Sequence, residues 1–475
     1  MDPAEEVERR PILAAPPQPA RPLSTLQIMR VAFSNTLAAC DQELFQELFV
    51  ERRHLWHPVF IISDPEGIRR VLLDNCDNYP RLDQIRRMFA FTSGAGMLYL
   101  EGEASRQHRR LLNPALDHRA VLSAIPRLIE LTVEAARLMA EMPPGQEIDI
   151  GDTLTHWLTV TTGHVFTGGD REIEPLLYRL GQFPGRYTFF DFMALPGPLR
   201  LLARFGRSRR EARQFLPLLD RLFAERRGDS ETARADLLGR LAHARDRRTG
   251  EGLGTAELRD EALTLASTAA TPLRPLTWIW YLLATHPAVE AKLHAELDRV
   301  LGGRTPRVDD LFRLDYTRMV IEETMRLYPP LPIMLRSAVA EDVVCGRRIP
   351  RNAVVAILPW VVHRHRQLWR NPDVFDPERF AAEQVAERSR YAYLPFSVGP
   401  HVCIGASLAM SQMLMAVAIL AQRFRFSLAP GHPVEPTAWT NLRPKDGIKV
   451  TVEPRAARPG RAALRREEVG AVPSS

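Results

Sequence analysis

Phe396-Ser397-Val398-Gly399-Pro400-His401-Val402-Cys403-Ile404-Gly405 sets one cysteine in a glycine-punctuated loop that runs straight into a long apolar segment, Ala406 to Phe424. Gly399 and Gly405 permit tight turns and a close backbone approach that a Cβ would obstruct. A helix starting at Ala406 would turn its positive end toward the sulfur, which favours thiolate over thiol. A thiolate ligand pushes electron density onto iron and favours O–O cleavage, chemistry that a histidine ligand supports less well. An isolated Cys-x-Gly is most often a buried structural cysteine. The full Phe-x-x-Gly-x-His-x-Cys-x-Gly pattern reverses that reading and marks Cys403 as an iron ligand.

Other blocks extend the pattern. Glu323-Thr324-Met325-Arg326 places an acid and a base three apart, where side chains meet on one helix face. Alone, such a pair is an exposed ion pair worth a few tenths of a kcal/mol. Here Leu327-Tyr328-Pro329-Pro330 follows it, and then Asn371-Pro372-Asp373-Val374-Phe375-Asp376-Pro377-Glu378-Arg379-Phe380. With the cysteine loop, these blocks resemble the cytochrome P450 family, in the family's order and from roughly Asp41 to Pro454. The resemblance implies a mainly α fold with a small β part, one large domain around a buried haem b. It implies that Glu323, Arg326 and Arg379 lock the core behind the cysteine loop. It also implies a soluble, bacterial-type haem-thiolate monooxygenase. Such an enzyme inserts one atom of O2 into a small hydrophobic molecule, with electrons from NAD(P)H through a separate ferredoxin or flavodoxin-type donor.

Composition agrees with one large domain at residues 26–454. No glycine/serine linker or repeat divides the 475 residues, and no length remains for a fused reductase. The proline-rich stretch 1–25 and the Arg/Ala/Pro-rich stretch 455–475 read as flexible tails. The N-terminus shows neither a roughly 20-residue apolar run nor a secretory core, so no stable membrane anchor and a cytoplasmic location are expected. Cys40, Cys76, Cys345 and Cys403 lack the paired spacing of disulfides or zinc sites. A net charge of +6 without a basic stripe interleaved with aromatics argues against nucleic acid as a partner.

Apolar periodicity predicts helices at Ala120–Met142, Ile148–Phe166, Arg209–Ala224, Thr255–Thr285, Ala288–Leu301, Thr317–Tyr328 and Ala406–Phe424. Val59–Ile62, Asp342–Val344, Ala353–Ile357 and Lys449–Val452 read as strands, with Arg347 to Asn352 as a turn.

Haem carries two propionates that need basic or hydrogen-bonding partners. The resemblance assigns them His401, Arg336 and Arg109, and it places Phe396 and Gly405 in the cofactor loop. Arg109 lies in Gly102-Glu103-Ala104-Ser105-Arg106-Gln107-His108-Arg109, where the family has Trp or His at the place of Ser105. Serine would reach a propionate only through water, unless another residue supplies the contact. Arg106, Arg109 and Arg110, near the cysteine loop, would make that face basic and complementary to an acidic ferredoxin.

The oxygen-side helix departs most from the family. Ala266-Ser267-Thr268-Ala269-Ala270-Thr271-Pro272-Leu273-Arg274-Pro275 replaces the usual small pair, acid and threonines. Counting back from Trp278 puts Thr271 on the proton-relay threonine and Ala270 on the missing acid. Counting forward from Asp260 shifts the alignment by one. Pro272 and Pro275 should kink the helix. Arg274-Pro275 partly resembles the Arg-Pro pair of the family's fatty-acid peroxygenases, in which a substrate carboxylate held by arginine replaces the protein acid. A peroxide-using or redox-neutral catalyst such as an isomerase is therefore the second reading. A non-catalytic haem ligand binder is the third. Substrate contacts are sketched at Arg81–Leu98, in the aromatic stretch Phe183–Leu201 with Phe190, at Ile333 and Met334, at Arg274, and at Trp439–Leu442.

Overall fold

The computed structural model describes residues 13–32, 34–54, 57–83, 86, 95–143, 145–181, 213–228 and 235–455. Phe190, with the rest of its aromatic stretch, lies outside the described residues.

The helices that matter most for the site, numbered here in chain order, are α1 Gly102–Leu112, α2 His118–Ala140, α3 Ile150–Thr167, α4 Thr255–Thr268, α5 Leu273–Thr285, α6 Pro287–Leu301, α7 Asp315–Leu327 and α8 Ala406–Arg423. The strands are β1 Phe49–His54, β2 His57–Ile62, β3 Glu147–Asp149, β4 Met334–Ser337, β5 Asp342–Val344, β6 Arg347–Ile349, β7 Val354–Ile357, β8 Phe424–Leu428, β9 Pro436–Ala438, β10 Leu442–Pro444 and β11 Lys449–Pro454. The largest sheet runs β1-β2-β7-β4, with β2 and β7 parallel and the other pairs antiparallel. A three-stranded sheet β3-β11-β8 and the hairpins β5-β6 and β9-β10 complete the β part.

The core sits between α2, α3, α5, α7 and α8. From Gln412 to Gln422 every residue of α8 is buried, because it packs on α2, α6 and α7 rather than presenting one apolar stripe. α8 is also the one helix among the described residues long and apolar enough to cross a membrane, and most of it is buried in the protein core. Between α5 and α7, Trp278 and Tyr328 stack with ring centroids 4.0 Å apart and planes 3° from parallel.

Three expectations are corrected. Residues 13–24 were expected in a flexible tail, yet Leu13 is buried in the core. There the Tyr281 hydroxyl accepts from the Ala14 N–H at 3.2 Å, and the Tyr328 hydroxyl donates to the Ala14 carbonyl at 3.0 Å. Two buried phenols thus find their partners on a segment whose composition alone suggests no packing. Second, Arg347–Ile349 is a strand rather than part of a turn. The chain reverses at Cys345 (φ 50°) and Gly346 (φ 72°), the two consecutive positive values of a tight hairpin, so Val344 pairs with Arg347.

Third, Thr255–Thr285 is two helices. Pro272 has no N–H to give the Thr268 carbonyl, so that carbonyl accepts instead from the Thr271 N–H (3.0 Å) and the Thr271 hydroxyl (2.7 Å). The second helix restarts at Leu273, which leaves Pro275 in its first turn, where a missing N–H costs nothing.

Candidate active site

The cysteine loop reaches its shape through one backbone contact and one strained glycine. The Cys403 N–H donates to the Phe396 carbonyl at 2.8 Å, closing the loop. Gly399 has φ +73°, and a Cβ there would lie 2.1 Å from the Leu72 carbonyl oxygen, so no other residue fits. Gly405 is different. Its φ is −88°, and the nearest protein atom to an added Cβ would be the Cys403 sulfur at 4.0 Å, an ordinary contact.

Cys403 is open although protein surrounds it, and every residue from Ala406 to Ser411 is only part-buried, the pattern of side chains around a hollow. Burial pushes the Cys403 thiol up, while the Gly405 N–H and the Arg109 guanidinium pull it back. Among the described residues no three His, Cys, Asp or Glu side chains converge on a point that could hold an ion. The sulfur stands as a single ligand.

Behind the loop, Glu323 and Arg326 are both fully buried and meet in a two-point pair, Nε to Oε2 at 2.6 Å and Nη2 to Oε1 at 2.8 Å. Arg326 also donates to the carbonyls of His363 (2.7 Å), Pro372 (2.7 Å) and Val374 (3.0 Å). Arg379 approaches Glu323 at 3.4 Å and donates to the carbonyls of Arg370 and Asn371. The three residues singled out in the sequence do meet.

A fourth, His363, was missed. It is fully buried, and burial with the adjacent Arg326 holds its imidazole down to about 3, so the ring is neutral. Its Nδ1 lies 3.2 Å from the Arg326 carbonyl, and its Nε2 accepts from the Leu394 N–H at 2.8 Å. One tautomer satisfies both contacts, and the ring carries the Glu323–Arg326 lock into the strand of chain that enters the cysteine loop.

On the other side of the loop the bases gather. Arg336, on β4, is buried, and burial with Arg81 nearby lowers its guanidinium to about 10. His401 Nδ1 lies 2.9 Å from Arg81 Nη2, and its Nε2 lies 3.3 Å from Glu101. Burial lowers His401 despite Glu101. Burial would raise Glu101, but His401 and Arg81 outweigh it and hold that carboxyl at about 2. Arg109 donates to the Pro400 carbonyl at 3.0 Å and the Val402 carbonyl at 2.6 Å.

Three guanidinium groups, Arg81, Arg109 and Arg336, thus stand against the single carboxylate Glu101. Two positive charges are left over, which suits a group bearing two carboxylates. Beside them Ser105 lines a hollow of about 260 Å³ with Cys76, Asp77, Arg109, Pro400 and His401. A large aromatic at position 105 would fill this space, and water can enter it.

Arg81 was placed by sequence only at the edge of a substrate loop. Its side chain, in hydrogen-bond contact with His401 and ion-paired to Glu101 at 3.0 Å, puts a further base beside the cysteine loop that could take up the contact Ser105 does not make. Arg81→Gln should weaken haem retention by about tenfold or more, the loss of one charge-assisted contact. Haem transfer to apomyoglobin measures this, and an unchanged transfer rate would refute the assignment.

Ile333 is half-buried beside the core. Met334, expected as a substrate contact, pairs across to Ile357 and is buried in the cluster under β4 and β7. A strand residue enclosed on its own face presents no open wall. The arginines of α1 are largely spoken for. Arg106 pairs with Glu103 and Asp77, and Arg110 with Glu103 and Asp246, so the face is less basic than the sequence suggested.

A lone open thiol at a glycine-shaped loop, a buried acid–base lock behind it and a dication-like cluster beside it define a haem-thiolate protein. The family model described as Cytochrome P450 matches residues 16–452, and the chain belongs to that family. Cyclooctatin synthase of Streptomyces melanosporofaciens is 31% identical over 414 residues, 85% of this chain and 87% of that one. Cyclooctat-9-en-7-ol 5-monooxygenase of the same organism is 31% identical over 388 residues, 78% of this chain and 81% of that one. Pentalenene oxygenase of Streptomyces avermitilis is 34% identical over a shorter 256 residues, 53% of this chain and 57% of that one. In fold, the haem domain of cytochrome P450DA is similar with a TM-score of 0.78 at 24% identity, over 94% of this chain and 99% of that one. The protein is a cytochrome P450 monooxygenase that uses haem b, with NAD(P)H as the indirect electron source. Cys403 is placed to hold the iron, and Arg81, Arg336, Arg109 and His401 to hold the propionates.

Proposed function

We propose that this enzyme oxidises a small molecule built on a cyclic hydrocarbon skeleton. It uses O2 and electrons relayed through a separate ferredoxin or flavodoxin-type protein, and acts in the cytoplasm. The relatives named for cyclooctat-9-en-7-ol and pentalenene support the substrate class. Bound haem, with its thiolate ligand, supplies the oxygen-activating chemistry.

The observation that carries the dioxygen reading is the helix break at Ala269–Pro272. There Thr271 donates its hydroxyl proton to the Thr268 carbonyl and keeps both oxygen lone pairs free. A hydroxyl so fixed can accept a hydrogen bond from ordered water or from a protonated oxygen, and so hold a proton at the helix break. Thr271→Ala should leave substrate affinity within about twofold, because a hydroxyl bonded to its own backbone contributes little to an apolar ligand. Product formed per NAD(P)H should fall several-fold while hydrogen peroxide rises. Unchanged coupling in that variant would remove Thr271 from the relay.

A second reading, peroxide-driven or redox-neutral turnover, is favoured by Ala270. The nearest acid on α4 that is buried, Glu261, engages the His108 ring at 2.6 Å and the Met97 N–H at 2.7 Å, both through its Oε1. The experiment is substrate-dependent NAD(P)H consumption with a surrogate ferredoxin and its reductase, run beside turnover with hydrogen peroxide alone. Product only in the peroxide arm would favour the second reading.

A further inference from the structure

Glu101 stands at the N-cap of α1, yet its side chain accepts from no helix N–H. It turns instead to the bases beside the cysteine loop. Its Oε1 accepts from the Arg81 backbone N–H at 3.1 Å and from Arg81 Nη1 at 3.0 Å, and its Oε2 lies 3.3 Å from His401 Nε2. Arg81 Nη2 reaches the other ring nitrogen of His401 at 2.9 Å, which closes a triangle of three side chains. A guanidinium only donates, so His401 Nδ1 accepts and the ring proton sits on Nε2, facing the Glu101 carboxylate.

The triangle is enclosed. The Arg81 and Glu101 side chains are each 17% exposed, and His401 is 14% exposed. Charges in such a place are poorly screened and act on one another over several side chains. Glu101 acts on Arg336 as well as on Arg81 and His401, and Arg81 acts on Arg109. Backbone pairing of Arg81 with Arg336 ties β4 into the same unit. The Glu101 carboxyl, held at about 2, stays ionised at neutral pH.

A carboxylate among bases suited to two propionates opposes those propionates by charge. Its contribution is order and balance: it fixes the directions of Arg81 and His401, and it offsets the guanidinium charge that two propionates would leave over. Without that negative charge one positive charge stays uncompensated beside the cofactor. Positive charge favours the reduced iron, because reduction brings in an electron. We propose that Glu101 is a positioning residue that keeps the haem reduction potential low, by offsetting one guanidinium and holding Arg81 and His401 in a single arrangement. Reduction takes one electron from the ferredoxin-type donor, which is oxidised by one electron, and turns ferric iron to ferrous. Glu101 remains ionised throughout and takes up no proton. The role depends on the haem fit derived above and on neither the substrate nor the oxidant.

The test is a spectroelectrochemical titration of the haem-loaded protein without substrate. At the midpoint potential of the parent, Glu101→Gln should raise the ferrous-to-ferric ratio about threefold or more, because the amide keeps an acceptor for Arg81 and loses the charge. Glu101→Asp keeps the charge and should stay within about twofold of the parent. Arg81→Gln removes the opposite charge and should move the ratio the other way. The carbon-monoxide difference band of each variant reports that the thiolate-ligated site is intact. If Glu101→Gln leaves the ratio unchanged, or if Glu101→Gln and Arg81→Gln move it in the same direction, the Glu101 charge does not set the potential and the proposal is wrong. A shift in Glu101→Asp as large as that in Glu101→Gln would overturn it as well. The titration involves no turnover, so its failure leaves the monooxygenase reading standing.

Discussion

Cys403→Ser is expected to abolish the red-shifted carbon-monoxide difference band completely while leaving the apoprotein folded. The serine oxygen cannot donate charge to iron as sulfur does. The substitution is mild for the fold because Cys403 lies open at the edge of a hollow. The loop around it is set by the Cys403 N–H to the Phe396 carbonyl and by the positive φ of Gly399, both of which serine leaves untouched. Far-ultraviolet circular dichroism and thermal melting of the apoprotein should therefore match the parent, and the spectral band should not. A variant that retains the band would show that another group holds the iron.

Arg326→Ala should act in the opposite way, on the fold first. It strips a carboxylate with no solvent exposure of its two-point partner and leaves the carbonyls of His363, Pro372 and Val374 without their donor. Breaking a buried pair of this kind costs roughly 3–5 kcal/mol. That is a large part of the roughly 5–15 kcal/mol by which a native protein is stable. Little soluble haem-containing protein is expected, and the apoprotein should unfold at a much lower denaturant concentration than the parent. Arg326→Lys should not rescue it, because one ammonium cannot span both carboxylate oxygens and three carbonyls. Normal haem content in Arg326→Ala would mean that the lock does not support the cysteine loop. His363→Ala provides an intermediate case. It removes the neutral ring between the Arg326 carbonyl and the Leu394 N–H but leaves the ion pair whole.

The parts of the site that sequence exposes are those whose partners lie within one turn or one loop. Glu323 and Arg326 are three residues apart on α7, and Cys403 with Gly399 belongs to a single loop, so spacing alone identifies them. The prolines announced a distortion in the oxygen-side helix, but a kink and a break have the same sequence. The outcome depended on the Thr271 N–H and hydroxyl both satisfying the carbonyl that Pro272 could not. The docking of Leu13 and Ala14 was hidden because it depends on phenols more than 260 residues away.

By itself, the sequence determined the family and the Glu-Arg-Arg lock, because each is written in short, locally spaced motifs whose chemistry admits few other uses. Tertiary structure alone decided that Arg81 meets His401 across 320 residues and that His363 couples the lock to the cysteine loop. These are contacts between distant segments, brought together by burial of apolar surface, and side-chain hydrogen bonds of that range leave no period or spacing in a chain.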